Sequence, residues 1–154
     1  MRESIAILLG YMENQTAVIG VIANKIEALK PLDESQIIHS AYLMHNLYNA
    51  WEDMFKEVSE CFENNVERSS GFHKNILLRM KINIPGIRPH ILSEASYELL
   101  NELLGFRHVF RHAYNYNLDP ERLQQLRAKL ITGRVQIEND IEHFRKYLEG
   151  LLES

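Results

Sequence analysis

The chain has 154 residues, of which 45 % are hydrophobic and 25 % are charged, and its formal net charge is −4. These values are typical of one soluble globular domain over residues 1–154, and they exclude a disordered chain, a collagen-like chain and a disulfide scaffold. Because Cys61 is the single cysteine, neither an intrachain disulfide nor a cysteine-based zinc site can form, which suits a cytoplasmic protein.

Apolar residues recur every three or four positions over residues 2–29, which predicts a first helix that Pro31 ends. The apolar run within this helix is short, carries Glu3 and Glu13 on its flanks and has no small-residue cleavage site. We therefore do not expect it to act as a signal peptide.

A second helix is predicted to begin with a capping box formed by Asp33 and Gln36 and to run to about residue 66. The polar segment 68–71 ends it. The longest uncharged stretch of the chain, residues 35–51, lies within this helix, but its histidines, asparagines and glutamine exclude an apolar membrane span of about 20 residues. We expect no association with a membrane.

A shorter helix is predicted from Phe72 to about Lys81. It is followed by a loop over residues 84–90, because two prolines and a glycine in that segment interrupt regular structure. Ser93 is a residue type that caps helices, and the apolar spacing after it predicts a fourth helix that runs towards Tyr114.

A fifth helix is predicted to begin at Asp119, with Pro120 in the first helical position, and its apolar residues keep the helical period to Leu148. No segment shows the sustained alternation of a strand, and no linker or repeat divides the chain. The predicted fold class is therefore all-α, an antiparallel bundle of about five helices. Because long amphipathic helices often bury more apolar surface than one chain covers, we expect a homodimer.

The net charge is unevenly distributed along the chain. Residues 68–118 contain seven basic and three acidic side chains, a net +4, whereas the rest of the chain carries −8. A charge imbalance of this size also arises by chance, so the sequence motifs are needed to show whether it has a function. The basic group Arg79, Lys81 and Arg88 is either an ordinary solvated surface or a track that extends a nucleic-acid site.

The densest group of reactive side chains lies at residues 105–116, and no carboxylate occurs between Glu102 and Asp119, so this segment would attract phosphate. Arginine supplies a permanent cation, and histidine carries protons near neutral pH. Together they suffice to cleave RNA without a metal: the ribose 2′-OH attacks the adjacent phosphorus, histidine transfers the proton and arginine stabilises the added negative charge. The group consists of Arg107, His108, Arg111, His112, Tyr114 and Tyr116.

Arg107, His112 and Tyr114 form the pattern R-x4-H-x-Y, in which His108 is the polar residue directly after the arginine. This pattern, at the C-terminal end of a late helix in an all-α chain of this size, resembles the signature of HEPN-domain ribonucleases and of the HepT toxin family in particular. The resemblance covers essentially the whole chain. It implies a toxin that is a metal-independent endoribonuclease without a cofactor, acts as a homodimer and cleaves RNA such as tRNA or mRNA.

The same resemblance implies roles for the motif residues. Arg107 and His112 would be catalytic, and His108 would be the supporting polar residue. Arg111 lies outside the pattern, and we expect it to bind phosphate because of its charge. The partner would be a small MntA-like nucleotidyltransferase antitoxin that adds AMP to Tyr114. An AMP group at this position would place a bulky anion in the cationic cleft and so block it.

Helix geometry adds an expectation about the catalytic pair. At about 100° per residue, Tyr114 returns to within about 20° of Arg107 around the helix axis, whereas His112 lies about 140° away. Arg107 and His112 therefore cannot share one face of a straight helix. Either the helix ends before His112, or two copies of the segment meet at a dimer interface, and we favour a shared cleft between two copies.

Other interpretations stay open at the level of the sequence. His108 and His112 are spaced to bind zinc, but no cysteine or glutamate is placed as an evident third ligand, and no Glu-x-x-His element occurs for a di-iron site. His39 and His45 are expected in the core or at an interface, and Cys61 as a small buried hydrophobe. A different class of function is a non-catalytic subunit that docks onto a nucleotidyltransferase and presents substrate to it, and a third is a structural dimer without a ligand.

Overall fold

The structure is a computed structural model that describes residues 1–64, 71–112 and 118–154. Those residues form six helices and no strand, although an isolated bridge pairs Ile84 with Arg88 in the proline loop. The predicted all-α fold class is therefore confirmed. In chain order the helices are α1 (Arg2–Ala28), α2 (Glu34–Glu63), α3 (Phe72–Met80), α4 (Glu94–Gly105), α5 (Arg107–Arg111) and α6 (Pro120–Glu153).

Local capping interactions determine where two of the long helices begin. The Asp33 carboxylate accepts a hydrogen bond from the Gln36 N–H at 2.8 Å, and the Gln36 side-chain oxygen accepts one from the Asp33 N–H at 3.1 Å. The predicted capping box of α2 is therefore confirmed. Asp119 caps α6 by accepting from the Glu121 N–H, with Pro120 in the first turn as predicted. Both starts follow from residues within one helical turn.

Helix α2 lies in the middle of the bundle and packs against the other five described helices. Three of its large aromatic side chains are almost completely buried. Covering each of them stabilises the fold by about 1.5–3 kcal/mol relative to an exposed side chain. These residues are Tyr48, Trp51 and Phe55.

Helix α1 is, among the described helices, the one that is long and apolar enough to cross a membrane. One face of it contributes to the core and contacts α2 and α6. Ile7, Val18 and Val21 are exposed on this helix. The core helix of a soluble protein has the same length and composition, so the absence of a membrane association stays a prediction.

The predicted fourth helix is divided in two. Helix α4 ends at Gly105, Phe106 leaves the helical range with ψ near 1°, and α5 then begins, so the expectation of one helix running towards Tyr114 was wrong. Glycine inside a helix costs about 1 kcal/mol relative to alanine, which favours a break at this point. Phe106 stacks on the buried Phe110 with 5.8 Å between ring centroids, and the Arg122 guanidinium lies over the Phe106 ring.

A buried arginine holds the proline loop against the end of α2. The guanidinium of Arg88 donates hydrogen bonds to the carbonyl groups of Ile82, Pro89 and Arg79, and its Nη2 donates to Glu63 at 2.8 Å. Both interpretations of the basic group near this loop placed Arg88 at the surface. They were wrong for this residue. Arg88 is buried in the protein interior, where its guanidinium donates hydrogen bonds to backbone carbonyls.

Asp140 joins α6 to the start of α4. Its carboxylate accepts from the Ser93 N–H at 2.8 Å and from the Ser93 hydroxyl at 2.7 Å, and the Gln136 amide donates to its other oxygen. Burial raises the pKa of this carboxyl, but hydrogen bonds from Ser96, Ser93 and Gln136 outweigh burial, so the pKa lies below its ordinary value of 3.8. The folded chain therefore favours the charged carboxylate.

Replacing Asp140 by alanine is expected to lower the free energy of unfolding by about 1–2 kcal/mol at neutral pH, because hydrogen bonds to a charged acceptor are lost. Since folding lowers the pKa, this contribution is present above the unfolded pKa and disappears as the pH falls through the folded pKa. Urea denaturation at pH 7 and pH 3 measures the difference, which should shrink at the lower pH. Asn139→Ala, an exposed neighbour, should be neutral, and an equal loss for Asp140→Ala at both pH values would contradict the assignment.

Candidate functional site

The motif residues predicted to be catalytic lie on α5 and directly after it. Arg107 begins this helix, and His112 follows its last residue, Arg111, with the His112 N–H donating to the His108 carbonyl at 3.3 Å. The helix therefore ends before His112, which is the first of the two arrangements that helix geometry allowed. A cleft shared by two copies stays a prediction, as does the homodimer.

Two histidine rings of the motif lie side by side. The ring centroids of His108 and His112 are 4.7 Å apart, and their planes are inclined by 55°. His108 and Arg111 are exposed and His112 is half-buried, so two proton-carrying rings and a guanidinium reach the surface together. In the described part of the chain, no group of three or more His, Cys, Asp or Glu side chains is placed to hold a metal ion.

Helix α2 places His45 beside the two arginines of α5. Burial lowers the pKa of His45 from its ordinary value of 6.5, and the Arg107 and Arg111 charges lower it further, against an opposing effect of Glu52. The Asn49 amide nitrogen lies 3.1 Å from His45 Nε2, so that this ring nitrogen accepts the hydrogen bond. His45 therefore favours the neutral form, which does not repel the neighbouring cations.

Removing the Arg107 charge is expected to raise the pKa of His45, because one of two cations that disfavour the protonated ring is gone. In the wild type, the pKa of His45 is lower in the folded chain than in the unfolded chain. As the pH falls, the unfolded chain therefore binds a proton at this ring before the folded chain does. Stability therefore falls as the pH drops below about 6.5, and it should fall less in Arg107→Ala.

An NMR titration of the His45 ring in both proteins measures this pKa shift. Arg145→Ala, which removes a cation paired with Glu142 on α6, is the matched control and should leave the His45 titration unchanged. If Arg107→Ala also left it unchanged, α5 would not lie beside His45.

A buried carboxylate lies two turns after His45 on α2. Glu52 is 2 % exposed. It accepts a hydrogen bond from the Tyr48 hydroxyl at 2.8 Å, and its two oxygens lie 2.8 and 2.7 Å from His73 Nδ1. Lys56 adds a cation at 3.6 Å. A buried charge persists only when it is paired and hydrogen-bonded, and these three partners provide for both.

The α5 cations and the Glu52 network are neighbours. Burial strongly raises the pKa of Tyr48, and Glu52 raises it further, whereas the Arg107 charge lowers it. Arg107 thus acts on both His45 and Tyr48, which lie one turn apart. His45 Nδ1 and Arg107 Nε are buried atoms for which the described residues provide no hydrogen-bond partner. Because buried polar atoms are normally paired, this contact between α2 and α5 is a candidate functional position.

Sequence reasoning identified the α5 motif but missed its neighbours on α2 and α3. His45 was expected in the core or at an interface, and Tyr48, Glu52 and His73 had no assigned role. A signal existed for Glu52, because it lies one turn after Tyr48 and one turn before Phe55 and so shares their apolar stripe. A charged residue on a buried face needs a partner. No signal marked His73, whose position depends on how α3 packs against α2.

Other residues singled out in the sequence lie apart from this cluster or outside the described residues. Burial raises the pKa of the half-buried Cys61 thiol, which agrees with a role as a small hydrophobe. His39 is exposed in the chain. Tyr114 and Tyr116 lie outside the described residues, so the modification of Tyr114 stays a prediction.

Comparison with known protein families gives a match over most of the chain. A family model described as HepT-like protein matches residues 39–148, a range that holds nearly all of α2, the whole of α3, α4 and α5, and most of α6. Both the motif and the Glu52 network fall within it. No curated protein and no solved structure matches the chain.

Proposed function

The chain belongs to the HepT-like protein family, and on that premise we propose that it is a HEPN-type endoribonuclease toxin that acts without a metal or cofactor. The proposed catalytic residues are Arg107 and His112, with His108 and Arg111 binding RNA phosphate. The observation that carries this proposal is the cluster of guanidinium groups and adjacent imidazole rings on and after α5. These are the groups that metal-free cleavage of RNA requires.

Cleavage begins with attack of the ribose 2′-OH on the neighbouring phosphorus. His112 takes the proton of that hydroxyl, the 2′-oxygen bonds to phosphorus, the bond to the 5′-oxygen breaks and the departing 5′-oxygen takes up a proton, which leaves a 2′,3′-cyclic phosphate and a 5′-hydroxyl. Arg107 stabilises the negative charge that accumulates on the phosphate oxygens in the transition state. His108 and Arg111 hold the phosphate from the exposed side of α5.

The proposed assembly is a homodimer in which two α5 segments meet in one cleft. Each segment belongs to the basic part of an otherwise acidic chain, so bringing two of them together concentrates positive charge where RNA binds. In this arrangement Arg107 of one copy acts with His112 of the other.

The proposed regulator is a small MntA-like nucleotidyltransferase antitoxin that modifies Tyr114. The tyrosine oxygen bonds to the α-phosphorus of ATP and pyrophosphate leaves, so AMP becomes attached three residues after Arg111. The new anion competes with RNA phosphate for the motif cations. Mass spectrometry after incubation with the partner and ATP should find AMP on Tyr114, and an adduct on Tyr116 instead would contradict this step.

Expression of the protein alone in bacteria tests the ribonuclease proposal. The wild type should arrest growth and degrade RNA, whereas Arg107→Ala and His112→Ala should do neither. His143→Ala, which changes an exposed histidine on α6, is the matched control and should behave as the wild type. Equal and harmless behaviour of all four proteins would reject ribonuclease activity. Binding to the nucleotidyltransferase without RNA cleavage would indicate a docking subunit instead.

A further inference from the structure

His73, at the start of α3, forms a carboxylate–imidazole pair with Glu52. Its Nδ1 lies 2.8 Å from Glu52 Oε1 and 2.7 Å from Oε2. The Glu52 side chain is buried, whereas that of His73 is 33 % exposed. One edge of the imidazole is therefore held against a buried charge while the ring reaches the surface.

The carboxylate determines which ring nitrogen exchanges protons with a ligand. A carboxylate only accepts hydrogen bonds, so His73 Nδ1 carries a hydrogen, and Nε2 is the nitrogen that takes up or releases the second proton. The Tyr48 hydroxyl and the Lys56 ammonium hold Glu52 from two further sides. An imidazole oriented by a buried carboxylate is the arrangement by which hydrolases aim a histidine at a reacting atom.

Helix α2 connects the His73–Glu52 pair with the α5 motif. Helices α3 and α5 both pack on α2. The Arg107 charge acts on Tyr48, whose hydroxyl donates to the same carboxylate that holds His73. The charge of the proposed catalytic arginine thus influences the tyrosine that holds the carboxylate of this pair.

RNA cleavage needs two proton transfers, one from the 2′-OH and one to the departing 5′-oxygen. Arginine stays protonated in proteins and performs neither. His112 accounts for the first transfer, so a second residue that donates a proton to the 5′-oxygen in the same step would speed its departure.

We propose that His73, oriented by Glu52, is a second proton-transfer residue of the RNA-cleavage site, an inference that rests on the proposed function. When Nε2 of His73 carries a proton, it gives that proton to the 5′-oxygen as the bond from that oxygen to phosphorus breaks. His112 takes the 2′-OH proton in the same step. Each ring thus transfers one proton in the reaction. Proton exchange with water then restores both rings to their starting forms.

Two RNA substrates that differ in one atom test this role. The first has the natural 5′-oxygen as leaving group, and the second has a bridging sulfur, which departs without a proton. His73→Ala should lower kcat/KM on the oxygen substrate by about 100-fold but on the sulfur substrate by less than about tenfold. His112→Ala should be inactive on both substrates, because both need the 2′-OH deprotonated.

Two further variants separate proton transfer from packing. His73→Gln keeps a side-chain amide that can donate to Glu52, and it should show the same dependence on the leaving group as His73→Ala. His39→Ala, an exposed histidine on α2, should match the wild type on both substrates. Equal losses on both substrates, or undiminished cleavage by the His73 variants, would overturn the inference while leaving the proposed function in place. A wild-type protein that cleaves neither substrate would reject the proposed function and the inference with it.

Discussion

Mixing the Arg107→Ala and His112→Ala proteins, each inactive alone, is expected to restore RNA cleavage to about a quarter of the wild-type rate. In a two-fold dimer with a shared cleft, each site takes Arg107 from one copy and His112 from the other. Half of the randomly reassembled dimers are mixed, and one of the two sites in a mixed dimer keeps both residues. The rate is measured on labelled RNA after the two proteins have been unfolded and refolded together.

A second mixture controls for effects of refolding. It combines Arg107→Ala with a chain that carries both substitutions, so no pairing of copies rebuilds a site and no cleavage should return. If the two single variants together stayed inactive while refolded wild type cleaved RNA, Arg107 and His112 would act within one copy. The end of α5 before His112 makes that arrangement geometrically accessible.

Replacing Arg88 by alanine is expected to lower the free energy of unfolding by about 3–5 kcal/mol, because the partners of a buried ion pair are left without compensation. The Arg88 guanidinium is fully buried and pairs with the buried Glu63 at 2.8 Å. Arg79 Nε lies 3.4 Å from the same oxygen, but this atom makes no hydrogen bond within the described residues, so Arg88 is the well-oriented partner. Urea denaturation followed by circular dichroism measures the loss.

A surface ion pair from the same region is the matched control for Arg88. Lys81 lies 3.2 Å from the exposed carboxylate of Glu94. Pairs of this kind contribute at most about 1 kcal/mol, so Lys81→Ala should have a small effect. A similarly small effect of Arg88→Ala would mean that the proline loop does not depend on its buried cation.

The helices could be predicted where their signals are local. The capping box of Asp33 and Gln36 and the Asp119–Pro120 start each depend on contacts within one turn, and both are present. The break after Gly105 could not be predicted from periodicity, because apolar residues keep the helical spacing across it. Gly105 favours the break locally, but the contact of Arg122 on α6 with the Phe106 ring joins distant segments of the chain and leaves no mark in the spacing.

The candidate site could be predicted only in part, for the same reason. Arg107 and His112 lie close together in the chain, so their spacing is visible as a motif. The approach of Arg107 to His45 and Tyr48, and of His73 to Glu52, joins segments that are distant in the chain. Such contacts depend on how α3 and α5 pack against α2, and spacing along one helix carries no information about them.

Of the five residues of α5, Phe110 is the buried one, so a single aromatic side chain anchors the helix that carries the proposed chemistry. The polar residues of α5 are not among the residues that form the hydrophobic core. Mutations at these positions can therefore change or abolish activity during evolution while the scaffold persists at nearly constant stability. Among relatives with this fold, an inactive chain would then differ from an active one by a few substitutions in a short segment. The rest of its bundle would still be able to bind a partner.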